Sequence, residues 1–166
     1  MPVVTCEACN DTIYIKNADW RYLFSGPYYC SKECLTQYIH STHAARDIWN
    51  GDQIKEATYL SSKIMNMSTG GVWSDRHKIA FRSKYEQKFA NYLTDEGFVF
   101  EYEPYSFLLD SGSYTPDFYI PDSDLFVEVK GSWGFGSKSK MKRFIEQYPD
   151  IRLIVVPWIL REEFMV

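Results

Sequence analysis

No apolar run in the 166-residue chain approaches membrane-spanning length, and the N-terminus lacks the basic-then-apolar pattern of an export signal. No membrane partner is therefore expected, and a reducing cytoplasm is the expected compartment. Basic charge is not in excess either. Eighteen Lys and Arg face 22 Asp and Glu, for a net charge of −4, so a nucleic-acid partner would have to be met by local clusters rather than by the sum. Internal repeats and low-complexity segments are absent, which excludes solenoids and biased linkers. A phosphate loop is missing as well. Gly131-Ser-Trp-Gly-Phe-Gly-Ser-Lys138 has the glycines of one, but Ser137 separates the last glycine from the lysine. That stretch reads instead as a flexible loop between strand and helix, with Trp133 or Phe135 free to stack on a partner or to pack inward.

What the chain does have is apolar content of 45% and aromatic content of 17%, enough for a packed core. The length suits one compact domain plus a small module. The most informative stretch is residues 114–131, Tyr-Thr-Pro-Asp-Phe-Tyr-Ile-Pro-Asp-Ser-Asp-Leu-Phe-Val-Glu-Val-Lys-Gly. Residues 118–120 and 125–129 have strand composition around the turn cluster Pro-Asp-Ser-Asp. A four-residue loop, Pro121 to Asp124, sets Ile120 opposite Leu125 and, further out, Asp117 opposite Glu128. Like charges facing each other across a strand pair cost about 0.2–1 kcal/mol. Glu128 and Lys130 also interrupt an apolar run that belongs inside a sheet, where charge needs a purpose.

A divalent cation resolves that conflict. Carboxylates with no His or Cys nearby suit Mg²⁺ or Mn²⁺ better than Zn²⁺, and the Val129 carbonyl is a further candidate ligand. Strand alternation puts Lys130 on the face of Glu128, with Val127 and Val129 turned into a core. An amine beside two metal-bound carboxylates can orient or deprotonate a water and offset phosphorane charge. The plainer alternative is an exposed hairpin with scattered charges, and the apolar context of Glu128 weighs against it.

Cys6-x2-Cys9 and Cys30-x3-Cys34 have the spacing of a structural Zn²⁺ site. Ser31 can cap a helix starting at Lys32, which sets Cys30 and Cys34 one turn apart. Residues 13–15 and 22–24 read as short strands between the pairs, a treble-clef-like outline. Two disulfides are the alternative in an oxidising compartment. His40 and His43 are read as ordinary polar residues of the following helix. Whether such a zinc module touches DNA or only staples the fold is open.

Three segments follow: 1–49, the cysteine module and its helix, with Leu35, Tyr38, Ile39 and Trp49 turned inward; 50–80, a helical connector with a short helix around 54–65 and a break at 68–71; and 81–166, the main core. In that core, residues 81–97 form a helix, 99–109 a strand broken at Pro104 and 138–148 a second helix with Met141, Phe144, Ile145 and Tyr148 on one face. Residues 151–156 form a buried strand parallel to 127–129. The expected fold is α/β, a mixed sheet flanked by helices.

These residues resemble the PD-(D/E)XK nuclease superfamily. Phe100-Glu-Tyr-Glu103, Tyr114 to Phe118 and Val127 to Gly131 resemble the bacteriophage endonuclease I family of Holliday-junction resolvases. Arg82-Ser-Lys-Tyr-Glu86 and Tyr-Cys-Ser-x-x-Cys34 resemble phage homing-type endonucleases with a zinc module in front. The resemblance implies a restriction-endonuclease-like core, DNA as substrate and a phage-infected host cell. It also implies an acid on the preceding helix that completes the metal site, a position Glu86 fits. Glu86 can equally close a capping box on Ser83, and one carboxylate does not readily serve both.

Basic clusters flank the proposed site at Arg76 and Lys78, at Arg82, Lys84 and Lys88, and at Lys138, Lys140, Lys142 and Arg143, and are read as phosphate contacts. The expected function is a Mg²⁺-dependent DNA endonuclease, either site-specific (homing or restriction-like) or a junction resolvase acting as a homodimer. A catalytically inactive DNA-binding protein and a zinc-stabilised interaction protein are the rivals.

Overall fold

The computed structural model describes residues 3–14, 27–41, 58–59, 71–130 and 136–156. In chain order its elements are β1 (Val3–Thr5), β2 (Thr12–Tyr14), α1 (Lys32–Ser41), β3 (Thr58–Tyr59), β4 (Val72–Ser74), β5 (Ile79–Phe81), α2 (Lys84–Asp95), β6 (Glu101–Tyr102), β7 (Ser106–Leu108), β8 (Ser113–Tyr114), β9 (Phe118–Ile120), β10 (Leu125–Val129), α3 (Ser137–Gln147) and β11 (Leu153–Val156). The fold is mixed α/β.

Turn chemistry sets the central register. Pro121 opens a turn of 3-10 helix, and Asp124 closes it in the left-handed region (φ 48°), its amide donating to the Pro121 carbonyl. Asp is among the few side chains that tolerate this conformation, and the Tyr119 hydroxyl holds its carboxylate at 2.8 Å. The hairpin therefore pairs Leu125 with Ile120 and Val127 with Phe118, the register read from sequence. The main sheet runs β11-β10-β9-β6, with β10 and β11 parallel and the other pairs antiparallel.

Both faces of β10 are covered, which is why its sequence is nearly continuous in apolar residues. On one face Phe118, Val127 and Ile154 pack with Phe89, Ala90 and Leu93 of α2 and with Leu35 and Ile39 of α1. On the other, Phe126 and Val155 pack with Phe107 and Tyr114 and with Met141 and Phe144 of α3. Ser83 caps α2, and Gly97, at φ 80°, ends it. The helix of the cysteine module is part of this core. Thr36 Oγ1 and the Tyr92 hydroxyl lie 2.6 Å apart, the Lys32 ammonium stands over the Tyr92 ring, and His40 stacks near Phe98.

Four details differ from the sequence reading. Where a helix was expected around 54–65, Thr58–Tyr59 is a strand paired with β7; its two residues are too short a signal to compete with the surrounding periodicity. Residues 3–5, not read as a strand from the sequence, form β1 and pair with β2, the Cys6–Cys9 knuckle lying in the turn between them. Residues 72–80, assigned to the connector, form with Phe81, assigned to the following helix, the β4–β5 hairpin that leads into α2. Ile145 lies at the exposed rim of α3, 38% accessible, the apolar stripe being narrower than four positions. Residues 22–24, His43, Trp49, Trp133 and Phe135 lie outside the described residues.

Candidate functional site

Extending the β6–β9 and β9–β10 registers one step brings three acids into a single row across the ends of these strands. Glu103 follows the Tyr102–Phe118 pair, and Glu128 follows the Val127–Phe118 pair, with Asp117 between them. The Glu103 amide donates to the Asp117 carbonyl at 2.8 Å, and the Val129 amide donates to Asp117 Oδ2 at 2.6 Å. Asp117 is thus clipped between its neighbours by backbone bonds on both sides. Asp117 and Glu128 are both buried, the latter only 3% exposed. Lys130 reaches back to Glu128 Oε1 as a part-buried ion pair, so the two share a face. The other oxygen, Oε2, is buried with no hydrogen-bond partner. Such an orphan calls for a counterpart, an ion among them.

The electrostatics follow from this crowding. Burial first, then the negative neighbours Glu128 and Glu86, push the Asp117 carboxyl well above the usual carboxylate range, against the pull of the Val129 amide and Lys130. Burial likewise raises Glu128, with Lys130 opposing. The Tyr114 hydroxyl is buried beside Glu128 and held protonated by burial and that charge, without closing a hydrogen bond of ordinary geometry to it.

Glu86 is held by its cap. Ser83 Oγ accepts from the Glu86 amide and donates to Oε1 at 2.7 Å, while Oε2 accepts from the Arg82 amide at 3.0 Å and the Tyr102 hydroxyl at 2.6 Å. Its charge is felt at both Asp117 and Glu128. The side chain is nevertheless already engaged. Among the described residues, no three carboxylates come within 4.8 Å of one another, as expected of like charges.

Glu103 is the residue that sequence reasoning passed over. Burial lifts its carboxyl to about 7, Arg82 opposing and Glu86 and Glu128 adding to the rise. Arg82 Nε stands 2.8 Å from Oε1, yet that oxygen lacks a hydrogen bond of good angle; it has a charge partner and poor alignment. Its signal in the sequence was the alternation Glu101-x-Glu103 next to an apolar strand, legible only once β6 is known to pair with β9.

The cysteines do gather. Cys6, Cys9, Cys30 and Cys34 place their sulfurs within 4.8 Å of one another. All four are free thiols, with Cys9–Cys30 and Cys30–Cys34 sulfur separations of 3.4 Å. Four sulfurs at about 2.3 Å around one ion would be spaced about 3.8 Å apart, so the cluster could hold a metal ion. Burial pushes the Cys6 thiol up, but the Cys9, Cys30 and Ala8 amides outweigh it and bring it down to about 6; a thiolate is the form a metal binds. The Ser31 hydroxyl accepts from the Cys34 amide, capping α1.

The basic residues are placed variously. Arg76 pairs with Asp95 at 2.7 Å, Lys78 with Asp75 and Lys142 with Glu146, all exposed, pairs of the kind worth little in water. Arg143 donates to the Ser111 carbonyl. Lys84, Lys138 and Lys140 are exposed.

Comparison with protein families gives a match of residues 67–158, more than half of the chain, to the family described as Phage endonuclease I. The matched span takes in α2, the acid row and β11. No curated protein and no solved structure matches the chain.

Proposed function

The chain belongs to the phage endonuclease I family, and from that premise we propose that it is a metal-dependent DNA endonuclease with a PD-(D/E)XK core, acting on four-way junctions. The observation that carries the reading is the buried, mutually repelling pair Asp117 and Glu128, with one Glu128 oxygen orphaned and Lys130 against the other. The donors are all hard oxygens, which fit Mg²⁺ or Mn²⁺.

Asp117 and Glu128 would hold the ion together with the Val129 carbonyl, which in an extended strand points to the same side as the amide that Asp117 binds. When bound, the ion polarises the scissile phosphate and lowers the pKa of water. Lys130 positions the attacking water and offsets negative charge on the phosphoryl oxygens as the bond from the water oxygen to phosphorus forms and the bond from phosphorus to the leaving oxygen breaks. Glu86 adds negative charge from its capped position and becomes a ligand only by giving up its cap. Exposed Lys84, Lys138 and Lys140, with Arg76, Lys78, Arg82, Lys142 and Arg143, supply phosphate contacts.

The N-terminal cysteines would hold a structural Zn²⁺ within residues 1–49, ahead of a connector and the nuclease core. Paired cuts across a junction call for two active sites, hence a homodimer. Site-specific cutting of a homing or restriction type is the second reading, favoured by the cysteine cluster in front of the Arg82–Glu86 helix start.

The test is Mg²⁺-dependent cleavage of supercoiled, linear and four-way-junction DNA by wild type and Asp117→Ala. The expected result is preference for the junction and a loss of at least about 1,000-fold in rate on substitution. Equal cutting by both proteins would remove the site. Discrete cuts in linear DNA with no junction preference would favour the second reading.

A further inference from the structure

We propose that Glu103 is a positioning residue of this nuclease site, one that aims the Arg82 guanidinium at a phosphate of the bound DNA. The inference rests on the nuclease reading of Asp117 and Glu128. Glu101, on β6, is exposed, whereas the side chain of Glu103, one residue past the end of that strand, is only 12% exposed. Glu103 also adopts a left-handed backbone, φ 45°, immediately before Pro104. Non-glycine residues are strained there, and such strain persists where the surroundings over-determine it, often at functional sites. What holds Glu103 there is the hydrogen bond its amide donates to the Asp117 carbonyl, which locks the residue to the segment bearing the proposed metal ligand.

What Glu103 faces is Arg82. The Arg82 backbone is fixed independently, its amide shared between Glu86 Oε2 and the Tyr102 hydroxyl at 3.0 Å each. Its side chain then returns across the row, Nε meeting Glu103 at 2.8 Å while remaining 69% exposed. A pairing through Nε leaves most of the side chain open to solvent at the edge of the acid row. That is where the phosphate flanking the cut would lie, and a guanidinium fork matches two phosphate oxygens at once. Glu103 therefore does for Arg82 what a rigid supporting contact does for any substrate clamp: it removes rotamer freedom from a long side chain before the DNA arrives.

The experiment uses the full chain with a four-way junction. Single-turnover cleavage in Mg²⁺, junction affinity without Mg²⁺, and unfolding temperature are measured for Glu103→Gln, Arg82→Lys, the double variant and Asp117→Ala. Glutamine preserves shape and removes the charge. Each single variant is expected to lose about 10–100-fold in rate, with metal-free affinity within about 3-fold, no fall in unfolding temperature, and the double variant no slower than the worse single.

Three results would overturn the proposal. A wild-type rate for Glu103→Gln, with or without tighter DNA binding, would mark Glu103 as a mere neutraliser of Arg82. Rescue by raised Mg²⁺ would make Glu103 a metal ligand. Multiplying losses in the double variant would mean the two residues act apart. Should Glu103→Gln fail to fold, Arg82→Lys decides alone: a wild-type rate refutes the clamp. Cutting by Asp117→Ala would instead sink the underlying site, a failure separable from that of Glu103.

Discussion

The cysteine cluster and the acid row are both built of groups that suit metal ions, and they are prepared in opposite ways. Four sulfurs already converge on one point, with a capped helix supplying Cys34 and Cys30 standing just ahead of its cap. The acids are spread over three strands and a helix start, kept apart, with one saturated by its cap and another left with an orphaned oxygen. A closed tetrahedral set suits a staple; an unfilled set of hard donors suits turnover, because substrate and water must enter it. The lesson is that gathered donor groups mean different things in the two regions: stability in one, tension in the other.

That contrast can be broken most severely at the cysteines. Cys30→Ser is expected to remove roughly 3–5 kcal/mol of stability in denaturant unfolding, since Leu35 and Ile39 of α1 lie in the core of α2. An unchanged unfolding curve would show that the cluster staples nothing.

The acid row should behave in reverse. Asp117→Asn is expected to stabilise the protein by about 1–2 kcal/mol near pH 7 in magnesium-free buffer with zinc retained. The sign follows from the raised carboxyls of Asp117, Glu128 and Glu103. A carboxyl raised on folding contributes stability fully below its unfolded pKa, and that contribution is lost as pH rises through the folded value. For Glu103 the window is about 4.5 to about 7. Wild-type stability should therefore fall across that range and recover when Mg²⁺ is added. A curve flat in pH would contradict the tension ascribed to the row.

The smallest effect sharpens the link between the regions. Tyr92→Phe removes the hydroxyl partner of Thr36 and should cost about 1 kcal/mol, measured by the same unfolding. The cost should vanish once zinc is stripped, if the cluster is what holds α1 in place.

Much of this was legible in the chain because it is written locally. The Pro121–Asp124 turn dictates the hairpin register, and register dictates that Asp117 and Glu128 meet. Ser83 with Glu86 announces the start of α2, and the cysteine spacing announces their convergence. Glu103 was opaque because its burial depends on pairing between β6 and β9, fifteen residues further along the chain, and on Arg82 returning from another loop. The cationic residues were legible as charges but not as partners, because whether Arg76 meets Asp95 is settled by how α2 packs beside the β4–β5 hairpin.

The row of acids has a consequence over generations. Each carboxylate in it works against folding, and neutral or apolar replacements at such positions are commonly stabilising. A lineage released from the need to cut DNA would gain robustness by shedding Asp117 or Glu128, and mutation would erode the row sooner than the core around it. The sheet thus carries its chemistry as a standing burden that only continued selection on that chemistry maintains.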